Sequence, residues 1–484
     1  MSESFRGSRI AACNVTVGII TLLFALPGLP SSAADTSATP VPPKLSMREA
    51  VRLTLDHSPR VKESRVSYLS AKSGLASAKD LRNTDVFASV TQQSVGDSGA
   101  ESSASGGGQL SWRRRGGSSL SATVVPLSTS NLTSTMQLQY TRPIFRGSGQ
   151  NSDSNVSIVS AEFGLATQED QLFMAYQTLV QQTVRNYFDA VRTRDLIVVS
   201  ESDVTIAKET VRMARRKLEE GLVAEIELSQ AQIQLAQSED QLVSRKRAYQ
   251  DALDQLLLTM GLNVGQKPEL TDLVPQERMK LDQEVLVNEA LNNRKELSVL
   301  EFGVKRQKLE LNVSVDDQRP GVDVVGAYTK AGLGLGGSDY SSSSHWSAGL
   351  EYSLPIGSVS RRERREIAKR QLDQLLVEQA FQHEEIKNEV LSAVRQMESA
   401  EASIGILEAN LTVAESNLKT AQRMIDEGLR PYRDLLDAQV SLTRTRSSLL
   451  SSQIDYYLAL VGLNRAIGRD LADDLTGRAT LARK

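Results

Sequence analysis

Cysteine is almost absent from this chain of 484 residues: Cys13 stands alone. It precedes the apolar run at residues 15–26, so the surrounding "IAAC" does not sit where a lipidation box would, behind such a run. A chain cleaved beyond that run carries no cysteine, which excludes disulfides and thiol chemistry. Histidine is nearly as scarce: His57, His345 and His383 are scattered without ligand spacing, and no metal site is expected. Aromatic residues make up 5% of the chain, a fraction suited to long solvated helices and not to a thick globular core. The net charge of −3 provides no basic field, so nucleic acid is not an expected partner. Phosphate-loop, nucleophile-elbow and catalytic-cysteine motifs are missing, so neither a cofactor nor enzyme chemistry is expected. "GLGLGG" at 332–337 reads as loop glycine. Beyond residue 34 no apolar stretch is long enough for a transmembrane helix, so any membrane role must come from β-strands.

What is present begins with a secretory signal. Arg6 and Arg9 lead the apolar run, followed by Pro27, Pro30 and the small residues "SSAA". Residues 1–34 read as a signal peptide cleaved after Ala33 or Ala34, and 35–44, with "TPVPPK", as a linker.

The rest of the chain is written twice. "EGLVAEIELSQAQIQL" leads into Leu228, Leu235, Leu242, Tyr249 and Leu256, and "EGLRPYRDLLDAQVSL" into Leu435, Leu442, Leu449, Tyr456 and Leu463. The copies are 207 residues apart at every one of these positions, and each stripe recurs by seven, the period of a supercoiled helix. Proline is absent from 153–218 and from 361–425, so each copy opens with a helix of roughly 100 Å. A break at Gly221 or Gly428 then turns the chain back toward Gly261 or Gly468. These are antiparallel coiled-coil hairpins with glycine at the tip.

Upstream of each hairpin lie two further matched features. Helix-loop-helix patterns align Leu55 with Leu291 and Val61 with Leu297, and Ser46 with Glu49 forms a capping box in the first. Alternating segments follow at 84–95 and 134–145, and again at 321–335 and 345–356, each pair around a Gly/Ser-rich stretch, which predicts two strands per half. The repeat offset falls from 236 at the helices to 212 at Pro143 and Pro355. The first half therefore holds an insertion between its strands, assigned to 111–133 and read as an additional hairpin. The domains expected are a first repeat at 45–265 (strands within 84–145, helical hairpin 150–262) and an inter-repeat linker at 266–280. A second repeat follows at 281–470 (strands within 321–356, hairpin 360–468), then a tail at 471–484. Four strands cannot close a barrel, because small barrels need about eight. Open edges in a bilayer leave backbone groups unpaired at several kcal/mol each, so several copies must share one barrel, and three would give twelve strands.

"AVRLTLDHSPRVK", "TRPIFRGSGQN", "VRNYFDAV", "EGLVAEIELSQAQ" and "EGLRPYRDLLDAQ", at constant duplicated offsets, resemble the TolC-type outer-membrane efflux proteins over residues 45–470. The resemblance implies a mainly α fold with membrane β: a homotrimer with a shared 12-stranded barrel in the outer membrane and a twelve-helix tunnel in the periplasm. It also implies docking to a periplasmic adaptor and an inner-membrane transporter, and export of drugs, metals or polypeptides with energy from the pump. At the tunnel tip the matching gate residues are Asp434 and Asp437, with Glu227 in the first copy and Arg430 in the network that holds the tip closed. Residues alone leave Asp434 and Asp437 open between a solvated helix face and rings that attract cations. Ile425 stands where a gating tyrosine is expected, with Tyr432 nearby. Gly221, Leu222, Gly428 and Leu429 are helix caps that the resemblance also makes adaptor-docking points. The basic run at 360–371 is solvated surface or contacts lipid headgroups of the outer membrane. Arg113, Arg114 and Arg115 are open between the pore and the exterior. The rival reading is a periplasmic coiled-coil adaptor or scaffold without a pore, but adaptors carry a single hairpin and no such strand pairs.

Overall fold

Ser46 opens the first helix by accepting a hydrogen bond from Glu49 N at 3.3 Å, one half of the expected capping box. A computed structural model of the chain describes residues 42–94, 100–128, 135–221, 223–272, 282–332, 343–427, 429 and 433–476. The expected signal peptide and the linker up to residue 41 lie outside these residues.

The chain runs β1 (Lys44–Leu45), α1 (Met47–His57), α2 (Pro59–Lys79), β2 (Arg82–Ser94), β3 (Ala100–Arg113), β4 (Ser119–Ser128) and β5 (Thr135–Pro143). It continues with the first hairpin, α3 (Asp153–Glu219) and α4 (Glu225–Met260), then β6 (Glu269–Leu270). The second half is α5 (Gln283–Asn293), α6 (Lys295–Asp316), β7 (Gly321–Ala331), β8 (Ser343–Ser353), α7 (Val359–Asp426), α8 (Arg433–Ile467) and α9 (Leu471–Thr476). The duplication is thus visible as helix pair, strands and long hairpin in each half. Three details differ from the sequence expectation. The two linkers meet as a parallel pair, Lys44 opposite Glu269 and Leu45 opposite Leu270. The C-terminal tail starts as a helix whose Leu471 and Ala472 are buried in the core. The first half has four strands where two, plus an insertion at 111–133, were expected.

Among the described residues the six long strands form one antiparallel sheet in the order β2-β3-β4-β5-β7-β8. The added hairpin is β3–β4, which starts earlier than expected. "AESSASGGGQL" reads as loop because glycine and serine are depleted in strands, yet β3 pairs with β2 from Arg82↔Trp112 to Ser94↔Ala100. Backbone pairing needs no particular side chain. The expectation of four strands per chain is therefore corrected to six, and the twelve-strand count for three copies no longer follows from it.

Two apolar clusters hold the helices together around the middle of the long helices α3 and α7. One gathers Leu45, Val51, Val184, Tyr187, Phe188, Leu256 and Met260, and the other Leu286, Ile386, Val390, Met397, Leu463 and Ile467. Helix α8 belongs to both, giving Ile454 and Val461 to the first and Tyr456 and Leu463 to the second. Tyr187, from the "VRNYFDAV" motif, is fully buried. Its hydroxyl donates to Leu45 O (3.0 Å) and accepts from Asp272 N (3.3 Å), and burial pushes its pKa up to about 12. The linker strands are thereby tied to the middle of α3.

Each return helix ends on a left-handed glycine, Gly261 (φ 74°) and Gly468 (φ 81°). Leu262 N bonds Leu257 O at 2.9 Å and Arg469 N bonds Asn464 O at 3.0 Å, the same cap in both copies. A Cβ on Gly261 would lie 2.8 Å from His57 O, at the break between α1 and α2. One on Gly468 would lie 3.1 Å from Asn293 C, at the break between α5 and α6. The return helix of each hairpin is seated against its own helix pair through a glycine.

Candidate functional site

At the far end of the hairpins the chain turns twice. Glu219 ends α3, Gly221 takes the left-handed conformation (φ 72°) and α4 begins at Glu225. In the second hairpin α7 ends at Asp426, Leu429 N bonds back to Met424 O at 2.8 Å and α8 begins at Arg433. The two tips share one small apolar core: Val211, Ala214 and Ala231 from the first hairpin with Ile425 and Leu435 from the second. Polar links cross between the hairpins beside it. Lys217 Nζ donates to Ile425 O (2.9 Å), and Gln439 Nε2 donates to Thr210 Oγ1 (3.0 Å). Further along, Asp203 of α3 accepts from Ser238 of α4 (2.9 Å) and from Thr443 of α8 (3.0 Å), so one carboxylate joins three helices.

The residues expected at the tips are placed as follows. Asp434 is half-buried in the first turn of α8 and Asp437, one turn on, is exposed. Their i, i+3 spacing puts both on one side of the helix. Glu227 is half-buried in the first turn of α4, in the other hairpin. Gly221 and Leu429 are exposed at the two turns, Leu429 by 69%. Leu222, Gly428, Arg430 and Tyr432 lie outside the described residues. Ile425, at the position of the expected tyrosine, is buried in the shared tip core, and it is its carbonyl that engages the other hairpin.

The inter-hairpin links were missed at the level of sequence. Gln439 carried a signal, because Ala231–Gln232 recurs as Ala438–Gln439. The copies have diverged in use: Gln232 is exposed, while Gln439 is buried against Thr210. Only the second hairpin turns this glutamine toward its neighbour.

The opposite end of the molecule presents a sheet with two chemically distinct faces. Register partners share a face in a sheet. One face carries Trp112 and Leu110 of β3, Leu120 and Val124 of β4, Leu138 and Tyr140 of β5, and Val324 and Tyr328 of β7, then Trp346 and Leu350 of β8. Exposed large apolar side chains of the sheet, such as Trp346 (75%) and Leu350 (73%), all belong to this face among the described residues. Its charges among the described residues, Arg82, Arg142 and Lys330, stand toward strand ends. The other face is mostly polar, with Gln109, Ser111, Ser121, Thr123, Gln137 and Gln139 continuing through Thr329, His345, Ser347 and Glu351, and with Val325 and Ala327 between them on β7. Such a division suits a wall between hydrocarbon and water. Among the described residues no helix is long and apolar enough to cross a membrane.

At the base of the sheet, charged groups fasten strands to helices. Arg146 Nη2 donates to Ser353 Oγ (3.1 Å) and Gly147 N to Asp316 Oδ2 (2.8 Å), joining the two halves. Arg361, in the basic run, donates to Asp317 O (2.7 Å), and Arg364 pairs with Asp317 at 3.9 Å, so part of that run is structural.

Comparison with known proteins agrees with this architecture. Residues 63–262 and 286–469 match the family model described as outer membrane efflux protein. The outer membrane efflux protein BepC of Brucella suis is 22% identical over 347 residues, 71% of this chain and 74% of that protein. The crystal structure of the outer membrane protein VceC from Vibrio cholerae superposes with a TM-score of 0.68 at 16% identity, covering 87% of this chain and 96% of that one. The open state of the MtrE outer membrane channel of Neisseria gonorrhoeae gives 0.66 at 14% identity, covering 88% and 89%. These two structures establish the likeness of fold, and the family match spans most of both repeats. The chain therefore belongs to the outer membrane efflux protein family, the TolC-type channels, and is a protein of the outer membrane.

Proposed function

We propose that three copies of the chain assemble into an export conduit, with the sheets closing a common barrel in the outer membrane and the hairpins forming a periplasmic tunnel. The observation that carries this reading is the two-faced sheet whose edges, β2 and β8, have no further strand beside them among the described residues. Six strands are too few to close a barrel alone, and unpaired edge groups in hydrocarbon cost several kcal/mol each. Pairing β8 of one copy with β2 of the next satisfies both edges. The conduit is passive. A periplasmic adaptor docks at the tip turns, Gly221, Leu222, Gly428 and Leu429, and an inner-membrane pump supplies the energy. Drugs, metals and polypeptides are the cargo classes this arrangement serves.

The tips act as the gate in this reading. Tip core packing and the Lys217–Ile425 clasp hold the two hairpins of a chain together. Asp434 and Asp437, with Glu227 behind them and Arg430 in the closing network, form acidic rings when repeated around the axis, and rings of carboxylates favour cations. A pore-free periplasmic adaptor is the rival. An adaptor in water would leave the apolar sheet face uncovered.

Fractionation separates the two. A heat-modifiable trimer in detergent-extracted outer membrane supports the conduit, whereas a soluble monomer would sink it. In planar bilayers, Asp434→Ala combined with Asp437→Ala is expected to lower cation over anion preference several-fold. An unchanged reversal potential removes the acidic rings. Lys217→Met keeps the apolar stem and deletes the donor to Ile425 O, so single-channel conductance is expected to rise. Conductance equal to that of the parent assigns the clasp no part in closure.

A further inference from the structure

We infer that the hairpin β3–β4 is part of the membrane wall, so that each chain contributes six strands and the three-copy barrel has eighteen. This rests on the three-copy reading above. Three features of the hairpin support it. First, its pairing is continuous: β3 lies against β2 over the whole of Arg82–Ser94, and β4 lies against β5 from Ser119↔Thr141 to Val125↔Thr135. Between them β3 and β4 pair with each other across one register shift at Gly106/Gly108, so no described strand of the sheet is skipped. Second, its faces match those of the neighbouring strands. Leu120 and Val124 continue the apolar face of Tyr140 and Met136, and Ser121 and Thr123 continue the polar face of Gln139 and Gln137. A hairpin folded into the lumen as a plug would put those apolar side chains in water.

Third, the turn between β3 and β4 is built into the start of α3. Ser152, the N-cap of α3, donates its hydroxyl to Arg115 O at 2.5 Å and accepts from Asn155 N at 3.3 Å. Arg115 Nε donates to Asn155 Oδ1 at 2.6 Å, and Gly149 N to Gly116 O at 3.2 Å. Gly117 is left-handed (φ 95°), and a Cβ there would lie 2.6 Å from Gly147 O. At Gly117 the turn meets the strand-to-helix connection with no room for a side chain. An appended loop would not require the strand-to-helix connection to be shaped around it.

The functional consequence is width. Barrel diameter grows roughly in proportion to strand number, so eighteen strands give a pore about 1.5 times as wide as twelve, in the range of water-filled porins. With a lumen of serine, threonine and glutamine, this pore suits hydrated, bulky cargo such as a polypeptide segment. Restriction would then fall to the hairpin tips and not to the membrane.

The test uses the full chain purified in detergent and a variant lacking residues 100–128. Deletion leaves the outer ends of β2 and β5 joined by a short loop, so a four-stranded wall remains geometrically possible. Electron cryomicroscopy of the full chain is expected to show three-fold symmetry and eighteen strands. Polyethylene glycols added from the barrel side of a bilayer probe the mouth independently of the tips. Their cut-off radius is expected to be about 1.5-fold larger for the full chain than for the deletion variant. A three-fold assembly of twelve strands, with residues 100–128 outside the wall, overturns the inference and leaves the three-copy reading standing. A two-fold assembly of twelve strands overturns the three-copy reading and the eighteen-strand count with it. If the deletion variant does not assemble, the strand count of the full chain decides alone.

Discussion

Gly261→Ala is expected to lose about 2–4 kcal/mol of stability, enough to deplete the folded assembly. Two effects add. A non-glycine residue in the left-handed region costs about 1–2 kcal/mol, and Gly261 holds φ 74°. The new Cβ would also sit 2.8 Å from His57 O and 3.0 Å from Pro59 Cδ, a backbone atom and a stiff ring that cannot swing aside. The duplicated position provides an internal comparison. At Gly468 the nearest approach is 3.1 Å, so Gly468→Ala incurs the same conformational strain with less steric conflict. Chemical denaturation of the detergent-solubilised protein is expected to place the two variants in that order, both below the parent. Equal, negligible losses would contradict the close packing of glycine against the helix breaks.

Ala348→Arg and Ser347→Arg form the second large contrast. The residues are neighbours at the middle of β8 and sit on opposite faces of the sheet. Arginine on the lipid face near the bilayer midplane costs about 2–4 kcal/mol, and each copy in an assembly would bear it. On the polar face it meets water and costs little. Ala348→Arg is expected to disappear from the outer membrane fraction while Ser347→Arg remains there at parental level. Loss of both, or retention of both, would refute the assignment of the faces.

Much of this architecture was legible in sequence because it is carried by periodicity. Leucines at every seventh residue and glycines at fixed offsets survive duplication and report helices, turns and their order directly. The strands of the second half were legible too, since Val322 and Val324 flank Asp323 and Leu350 and Tyr352 flank Glu351. The β3–β4 hairpin was legible only as an offset. Its strand β3 is made largely of Gly, Ser and Ala, whose small side chains blur the alternation that marks a strand. Contacts between the tips were hidden for another reason. Gln439 with Thr210 and Lys217 with Ile425 O are separated by more than two hundred residues, and nothing local distinguishes them from solvated positions. Ile425 itself looked like a lost gating side chain and proved to be core, because a heptad position at a tip is read the same way whether it faces a pore or a neighbour.

The long unbroken α3 has a mechanical consequence. Its share of the large core cluster runs to Val191, beyond which its apolar packing is on the other hairpin helices, and it ends at Glu219. At 1.5 Å per residue that leaves an arm of about 42 Å reaching to the tip. A tilt of about 5° at the anchored end would swing the tip by about 4 Å, comparable to the size of a side chain. In the proposed conduit, rotations too small to disturb the packed middle of the helix would thus displace the tip by a full residue's width.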